Sequence, residues 1–357
     1  MGSTVYFANL NAKSNKDSIL AKMGKIFEAL YNEKEIFKKN SLVGVKVHFG
    51  EIGLTTFQRP VFARTIVERV KDKGGNPFLF DTTTLYLSGN RTNAANHITT
   101  AIKNGFSYAT VGAPIVIADG VTGLNCKEIE TNGKHIRKAK IAGDLPYMDA
   151  IICLSHAKGH CAAGFGGALK NISMGMASRA GKLEMHSATK PFITSKCVGC
   201  GTCIEICPVK AISLNQAKAR INNDTCIGCM GCDSKCYANA IKFNWDNPEN
   251  MLMERMAEYA HVFSKIRGGS TLYFNLLFDI TPDCDCYGFG NAPIAPDIGV
   301  LASFDPVAID QASIDLINKG AGKDIFMEIW PSSNYEILLE YAKELGIGIR
   351  DYKIIEQ

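Results

Sequence analysis

Two runs of cysteine carry the densest chemical signal in this sequence. Cys197, Cys200, Cys203 and Cys207 follow C-x2-C-x2-C-x3-C with Pro208 next, and Cys226, Cys229, Cys232 and Cys236 repeat the spacing. Three thiolates so close together can grip three irons of an iron–sulfur cube from one tight loop, and the fourth ligand must come from elsewhere. Displaced by 29 positions, KCVGCGTCIEICPVKAISL lies over TCIGCMGCDSKCYANAIKF, so that Ala211-Ile212 falls on Ala240-Ile241. Gly199, Gly201, Gly228 and Gly231 let backbone N–H groups turn toward sulfur, which stabilises a cluster's negative charge. Zinc is the alternative, but it favours two C-x2-C pairs across a spacer or mixed Cys/His sets. The spacing therefore predicts two [4Fe–4S] clusters.

From Pro191 to Phe243 this segment resembles the bacterial two-cluster ferredoxin family, departing from it at Tyr237, where the second proline would stand. The resemblance implies that the fourth cysteine of each run crosses to the other cluster. It assigns Cys197, Cys200, Cys203 and Cys236 to one cluster and Cys226, Cys229, Cys232 and Cys207 to the second.

A second constellation lies in SHAKGHCAAGFGGALKNISMGMASRAGKLEMH, residues 155–186. Gly164, Gly166 and Gly167 precede a helical pattern, an arrangement that offers backbone N–H groups to a phosphate or carboxylate. Nearby Lys170, Arg179 and Lys182 add positive charge. His156, Lys158, His160 and Lys170 are the candidate catalytic residues. The alternative is a tight glycine turn among solvated basic side chains. A third signal is Cys284-Asp285-Cys286, in a loop stiffened by Pro282, Pro293 and Pro296. C-x-C can clamp a soft metal, act as a redox dithiol, or be two reduced cysteines in a turn. With His48 and His186 these cysteines form a candidate additional metal site. Asp305-Pro306 reads as a helix cap.

The elements that must position these groups alternate. Strands are expected at Thr4–Asn9, Leu42–Phe49, Pro77–Asp81, Ile115–Asp119, Ala150–Leu154, Thr271–Phe278, Ile298–Phe304 and Tyr352–Ile355. Helical patterns fall at Asp17–Tyr31, Pro60–Lys71, Met251–Ile266, Pro306–Asn318 and Asn334–Leu345. Alternation of this kind implies an α/β fold, a mostly parallel sheet with helices on both faces. The cysteine-rich stretch interrupts it as an inserted α+β ferredoxin-like two-cluster module. The expected division is a discontinuous host domain, 1–189 and 246–357, and an insert at 190–245. His48, Asp81, Asp119, His156 and Asp279 stand at the ends of strands, the rim where open α/β sheets bind ligands.

With 39 basic and 35 acidic residues, net charge +4, the chain has no electrostatic reason to bind nucleic acid or a membrane surface. No apolar run is long enough to span a bilayer and no secretory leader is visible. Thirteen cysteines without an export signal indicate a reducing, oxygen-poor cytoplasm.

VKVHFGE (45–51), SHAKGH (155–160), GFGGALKNISMG (164–175), the DCDC loop and SFDPVAID (303–310) resemble the family catalogued as domain of unknown function 362. That resemblance covers nearly the whole chain and implies a fold and a motif set, not a substrate; members often carry a ferredoxin insertion. A fainter likeness joins the Gly/Lys/His segment to the catalytic domain of lactate racemase, where such residues surround a nickel cofactor. Three functions compete. In the first, clusters exchange electrons between a redox partner protein and a site in the host that holds an anionic small molecule or a metal. In the second, the protein is an electron carrier whose host only docks partners. In the third, it handles metal or clusters through the C-x-C loop.

Overall fold

Ala150–His156 shows how the sheet is made. Ile151 and Cys153 face one hydrophobic core, while Ala150, Ile152 and Leu154 face another. Thr271–Leu277 alternates likewise, with Tyr273 and Leu277 on one side and Leu272, Phe274 and Leu276 on the other. A strand apolar on both faces must be covered on both, which is the condition for a parallel sheet between helical layers. The computed structural model describes residues 2–86, 89–186, 191–242 and 251–357. The expected insert edges, at 190 and 245, lie outside the described residues.

The eight expected strands form one sheet, in the order Tyr352–Glu356, Ser3–Asn9, Gly299–Ser303, Thr271–Leu277, Ala150–His156, Leu42–Lys46, Asn76–Asp81, Ile115–Ile117. Pairing is parallel except around Gly299–Ser303, which runs against both of its neighbours. No helix separates it from Thr271–Leu277, so the chain returns alongside without the crossover that a parallel pair needs.

Helices Ile19–Glu33 and Pro60–Asp72 cover one face; Met251–Arg267, Pro306–Ala321 and Tyr335–Glu344 contribute to the core on the other. Ser18 caps the first by accepting from the Ala21 N–H at 3.3 Å. Asp305 caps Pro306–Ala321, accepting from Val307 and Ala308 at 2.9 and 3.0 Å, as the Asp-Pro pair predicts.

Residues 191–242 hold two short antiparallel pairs, Phe192–Ile193 with Ile241–Lys242 and Ile212–Asn215 with Lys218–Ile221. Their small core gathers Cys203, Ile212, Ala219 and Ile241. The 29-residue repeat is visible in the backbone. Gly199 and Gly228 are both left-handed (φ 69° and 71°), as are Gly201 and Met230 (81° and 57°) and Lys210 and Asn239 (52° and 50°).

Candidate functional site

Backbone donors reach the sulfurs of the cysteine-rich segment in matching places. The Ala211 N–H lies 3.2 Å from Cys207 Sγ and the Ala240 N–H 3.3 Å from Cys236 Sγ, one repeat apart. Ala219 donates to Cys197 and Gly228 to Cys226, each at 3.4 Å. Cys197, Cys200, Cys203 and Cys236 line one small apolar cavity with Ala219, Ala240 and Ile241. The Cys203 thiol is pushed up by burial and then by Cys197, Cys200 and Cys236. Burial likewise raises Cys229, and Cys226 and Cys207 add to it. Cys236 of the second run thus shares a cavity with three cysteines of the first.

The two groups differ in surroundings. Cys200 is exposed beside the exposed Tyr237. On the other side Met230 is buried against Leu85 and Leu183. Met230 holds a left-handed backbone (φ 57°) where its repeat mate is Gly201. A side chain there costs about 1–2 kcal/mol, and the contact with Leu85 and Leu183 offsets it. Buried Arg179 also stands within the field of Cys229, its guanidinium donating to the Thr84 and Thr92 carbonyls.

Leu85 belongs to the wall of a cavity of about 720 Å³ on the rim where Leu42–Lys46, Asn76–Asp81 and Ala150–His156 end. His48, Asp81, His156, Lys158, His160, Gly166, Gly167, Lys170, His186, Cys284 and Cys286 all line it. Asp119 and Asp279 do not. Asp119 accepts from the N–H and hydroxyl of Thr83 at 2.9 and 2.6 Å, and Asp279 pairs with Arg59 at 2.9 Å.

The glycine loop differs from its expected use. Gly164–Gly166 pairs with Lys158–His160 as a small hairpin, so His156 and His160 do not share a helical face. Gly167 does open a helix, Ala168–Ser173, but the first free N–H groups, of Ala168 and Leu169, already meet the Asp310 carboxylate at 2.6 and 2.9 Å. A Cβ on Gly167 would lie 2.3 Å from Asp310 Oδ1. Glycine is therefore needed for an internal cap rather than to admit a free anion. Burial outweighs these donors and raises Asp310 to about 6.

Asp285 organises the candidate catalytic histidine and lysine. His156 Nδ1 is 3.0 Å from its carboxylate and Nε2 2.7 Å from the Phe278 carbonyl, so both ring nitrogens are engaged. Lys158 Nζ lies 2.9 Å from Asp285 and 3.2 Å from the His156 carbonyl. Burial opposes ionisation of Asp285, but His156 and Lys158 hold it far below the usual carboxylate range. These two residues brace the C-x-C loop. His160 Nδ1 accepts from Ala162 and Ala163 at 3.2 and 3.0 Å, which leaves Nε2 to carry the ring hydrogen.

One cavity group, Arg91, gave no signal in the sequence. Arg91, almost fully buried in an irregular loop, bonds Glu51 at 3.2 Å and the Tyr86 hydroxyl at 2.8 Å, and stands 2.9 Å from His48 Nε2. Lys46, from the VKVHFGE segment, pairs with Asp81 at 2.8 Å. Lys182 donates to the Thr82 hydroxyl at 2.6 Å and the Ala177 carbonyl at 2.5 Å. Burial lowers it to about 8.

All four residues of the candidate additional metal site line the cavity. A cationic guanidinium at His48 Nε2 occupies the lone pair a metal would use. Cys284 Sγ lies 2.9 Å from Cys286 Sγ and Cys286 Sγ 3.6 Å from His48 Nε2, and among the described residues no group of three or more His, Cys, Asp or Glu side chains that could hold a metal ion is found. Burial, then Arg91, depresses His48 to about 4, and burial with His160, Lys170 and Lys182 depresses His186 to about 3. A folded pKa below the unfolded value means that the unfolded chain binds more protons in that window. Stability, measured by anaerobic urea unfolding, should therefore fall as pH drops from 6.5 toward about 4. His48→Asn should flatten part of that slope; an unchanged slope would contradict the buried, neutral ring.

Residues 43–315 match the family model described as domain of unknown function, DUF362. The chain belongs to the DUF362 family. This DUF362 protein matches no curated protein sequence. Among solved structures, a protein from Thermotoga maritima aligns at 11% identity and TM-score 0.43, over 92% of this chain and 59% of its own. The DUF362 chain thus spans about 59% of the length of that protein. The lactate racemase apoprotein from Thermoanaerobacterium thermosaccharolyticum aligns at 13% identity and TM-score 0.39, over 99% of this chain and 82% of its own.

Proposed function

We propose that this protein is an iron–sulfur redox protein in which two [4Fe–4S] clusters exchange electrons with an anionic ligand held in the rim cavity. The observation that carries the reading is the cavity that Cys236 of the second run shares with Cys197, Cys200 and Cys203 of the first, with Met230, between Cys229 and Cys232, packed on Leu85 at the wall of the rim cavity. The residues present fit the group. Four thiols converge on an apolar pocket, and backbone N–H groups aim at sulfur. Bound there, each cluster would supply one-electron chemistry, with a potential set by charge and hydrogen bonding at sulfur.

The chain's own residues have separable roles. Met230, Leu85 and Leu183 keep water out between the second cysteine group and the cavity. Arg179 puts a buried positive charge beside Cys229, which favours the reduced, more negative state of a cluster there. Inside the cavity, Lys46, Arg91 and Lys158 are matched by carboxylates, and Lys170 by Cys284. Among the described residues Lys182 donates to two neutral oxygens, the Thr82 hydroxyl and the Ala177 carbonyl. With His160 Nε2–H it forms the natural anchor for a carboxylate or phosphate. Exposed Cys200 of the first cysteine group suits docking of a redox partner protein.

Protein purified or reconstituted without oxygen should carry about eight irons and eight sulfides per chain and show the broad charge-transfer absorption of iron bound to sulfur. Colourless protein free of iron after reconstitution would overturn the reading.

A further inference from the structure

The C-x-C loop is absorbed neither by the clusters nor by anion binding. Cys284 Sγ and Cys286 Sγ lie 2.9 Å apart, closer than two ligands of one tetrahedral ion with metal–sulfur bonds of about 2.3 Å. Both cysteines line the cavity. Lys170 Nζ stands 3.4 Å from Cys284 Sγ, and His48 Nε2 stands 3.6 Å from Cys286 Sγ. Asp285, between them, is turned away into its bonds with His156 and Lys158, and the Tyr86 hydroxyl holds the Cys286 carbonyl at 2.9 Å. The backbone is thus braced on both sides while the two sulfurs stay together.

We propose that Cys284 and Cys286 form a reversible dithiol–disulfide couple that exchanges two electrons with a small disulfide admitted to the cavity. Cys284 is the attacking sulfur. Its neighbour Cys286 and the Lys170 ammonium 3.4 Å away favour its thiolate against the opposing effect of burial, and the thiolate is the reactive form. It attacks one sulfur of RSSR, forming a Cys284–S–S–R bond and breaking the RS–SR bond to release RS⁻. That thiolate takes the proton of Cys286 and leaves as RSH. Cys286 then attacks Cys284 Sγ, closing the internal disulfide and expelling the second RS⁻. The cysteines lose two electrons and the external disulfide gains two. The couple needs no cluster for this exchange, so it stands or falls separately from the iron–sulfur reading.

The test uses the full chain without oxygen in graded mixtures of reduced and oxidised glutathione, followed by acid quench, alkylation and mass spectrometry. The tryptic peptide from Gly268 to Lys319 contains no cysteine besides Cys284 and Cys286. We expect it to lose two hydrogens along a single two-electron titration curve, fully reversed by dithiothreitol. Cys286→Ser should stop at one glutathione on Cys284, and Lys170→Met should slow iodoacetamide labelling of Cys284 at pH 7 by about tenfold. If the wild-type peptide stays reduced at every ratio, or carries two glutathiones with no internal bond, the proposal fails. That outcome needs no variant to fold.

Discussion

Asp285→Asn destabilises the protein by about 3–5 kcal/mol, the cost of removing one partner from a buried ion pair. Asp285 is only 1% exposed, and it matches Lys158 at 2.9 Å and His156 at 3.0 Å. Asparagine preserves the volume but leaves the buried Lys158 ammonium without a counter-charge. The measurement is anaerobic denaturant unfolding of both proteins, with Lys158→Met added to Asp285→Asn as a control that should recover part of the loss. A loss under about 1 kcal/mol would place the pair among those that contribute nothing measurable. The pH dependence has a definite sign. The folded pKa of Asp285 is depressed, so its contribution is present above the unfolded carboxylate value near 3.9 and is lost as acid protonates it. The variant should therefore lose less stability than the wild type on acidification below about pH 4.

The second large effect concerns how the cysteines are shared. With ligands crossing between runs, Cys207→Ala with Cys229→Ala removes two ligands from one cluster and leaves the other complete. About four irons should remain. Cys236→Ala with Cys229→Ala removes one ligand from each, and iron should fall toward zero. If each run instead held its own cluster, the two double variants would exchange outcomes. Iron and sulfide analysis after anaerobic reconstitution separates the cases. Survival of the first pair's cluster should also preserve the environment of exposed Cys200 and Tyr237, readable in its electron paramagnetic resonance signal.

Many local features were legible from residue type alone. Apolar runs at Ala150–Leu154 and Thr271–Phe278 could only be strands buried on both faces, and the sheet follows. Asp305-Pro306 announced a helix start that its side chain indeed caps. Helices Ala94–Lys103 and Arg179–His186 escaped notice, the second because its buried face includes Arg179 and Lys182 rather than an apolar stripe. The glycine loop was legible as a helix entry and misleading as an anion site. Its cap, Asp310, lies 142 positions downstream of Ala168 and reaches it only because Pro306–Ala321 packs against Ala168–Ser173.

By itself the sequence determined what is encoded by neighbours along the chain: strand and helix periodicity, the caps, and a cysteine spacing short enough for one loop to present three thiols. Only the tertiary structure decided which charges meet. Arg91 against His48, Lys170 against Cys284 and Asp285 between His156 and Lys158 join residues 43, 114 and 129 positions apart. No periodicity records such pairs, because burial of the whole sheet edge, not local propensity, forces each charge in that cavity to find its partner.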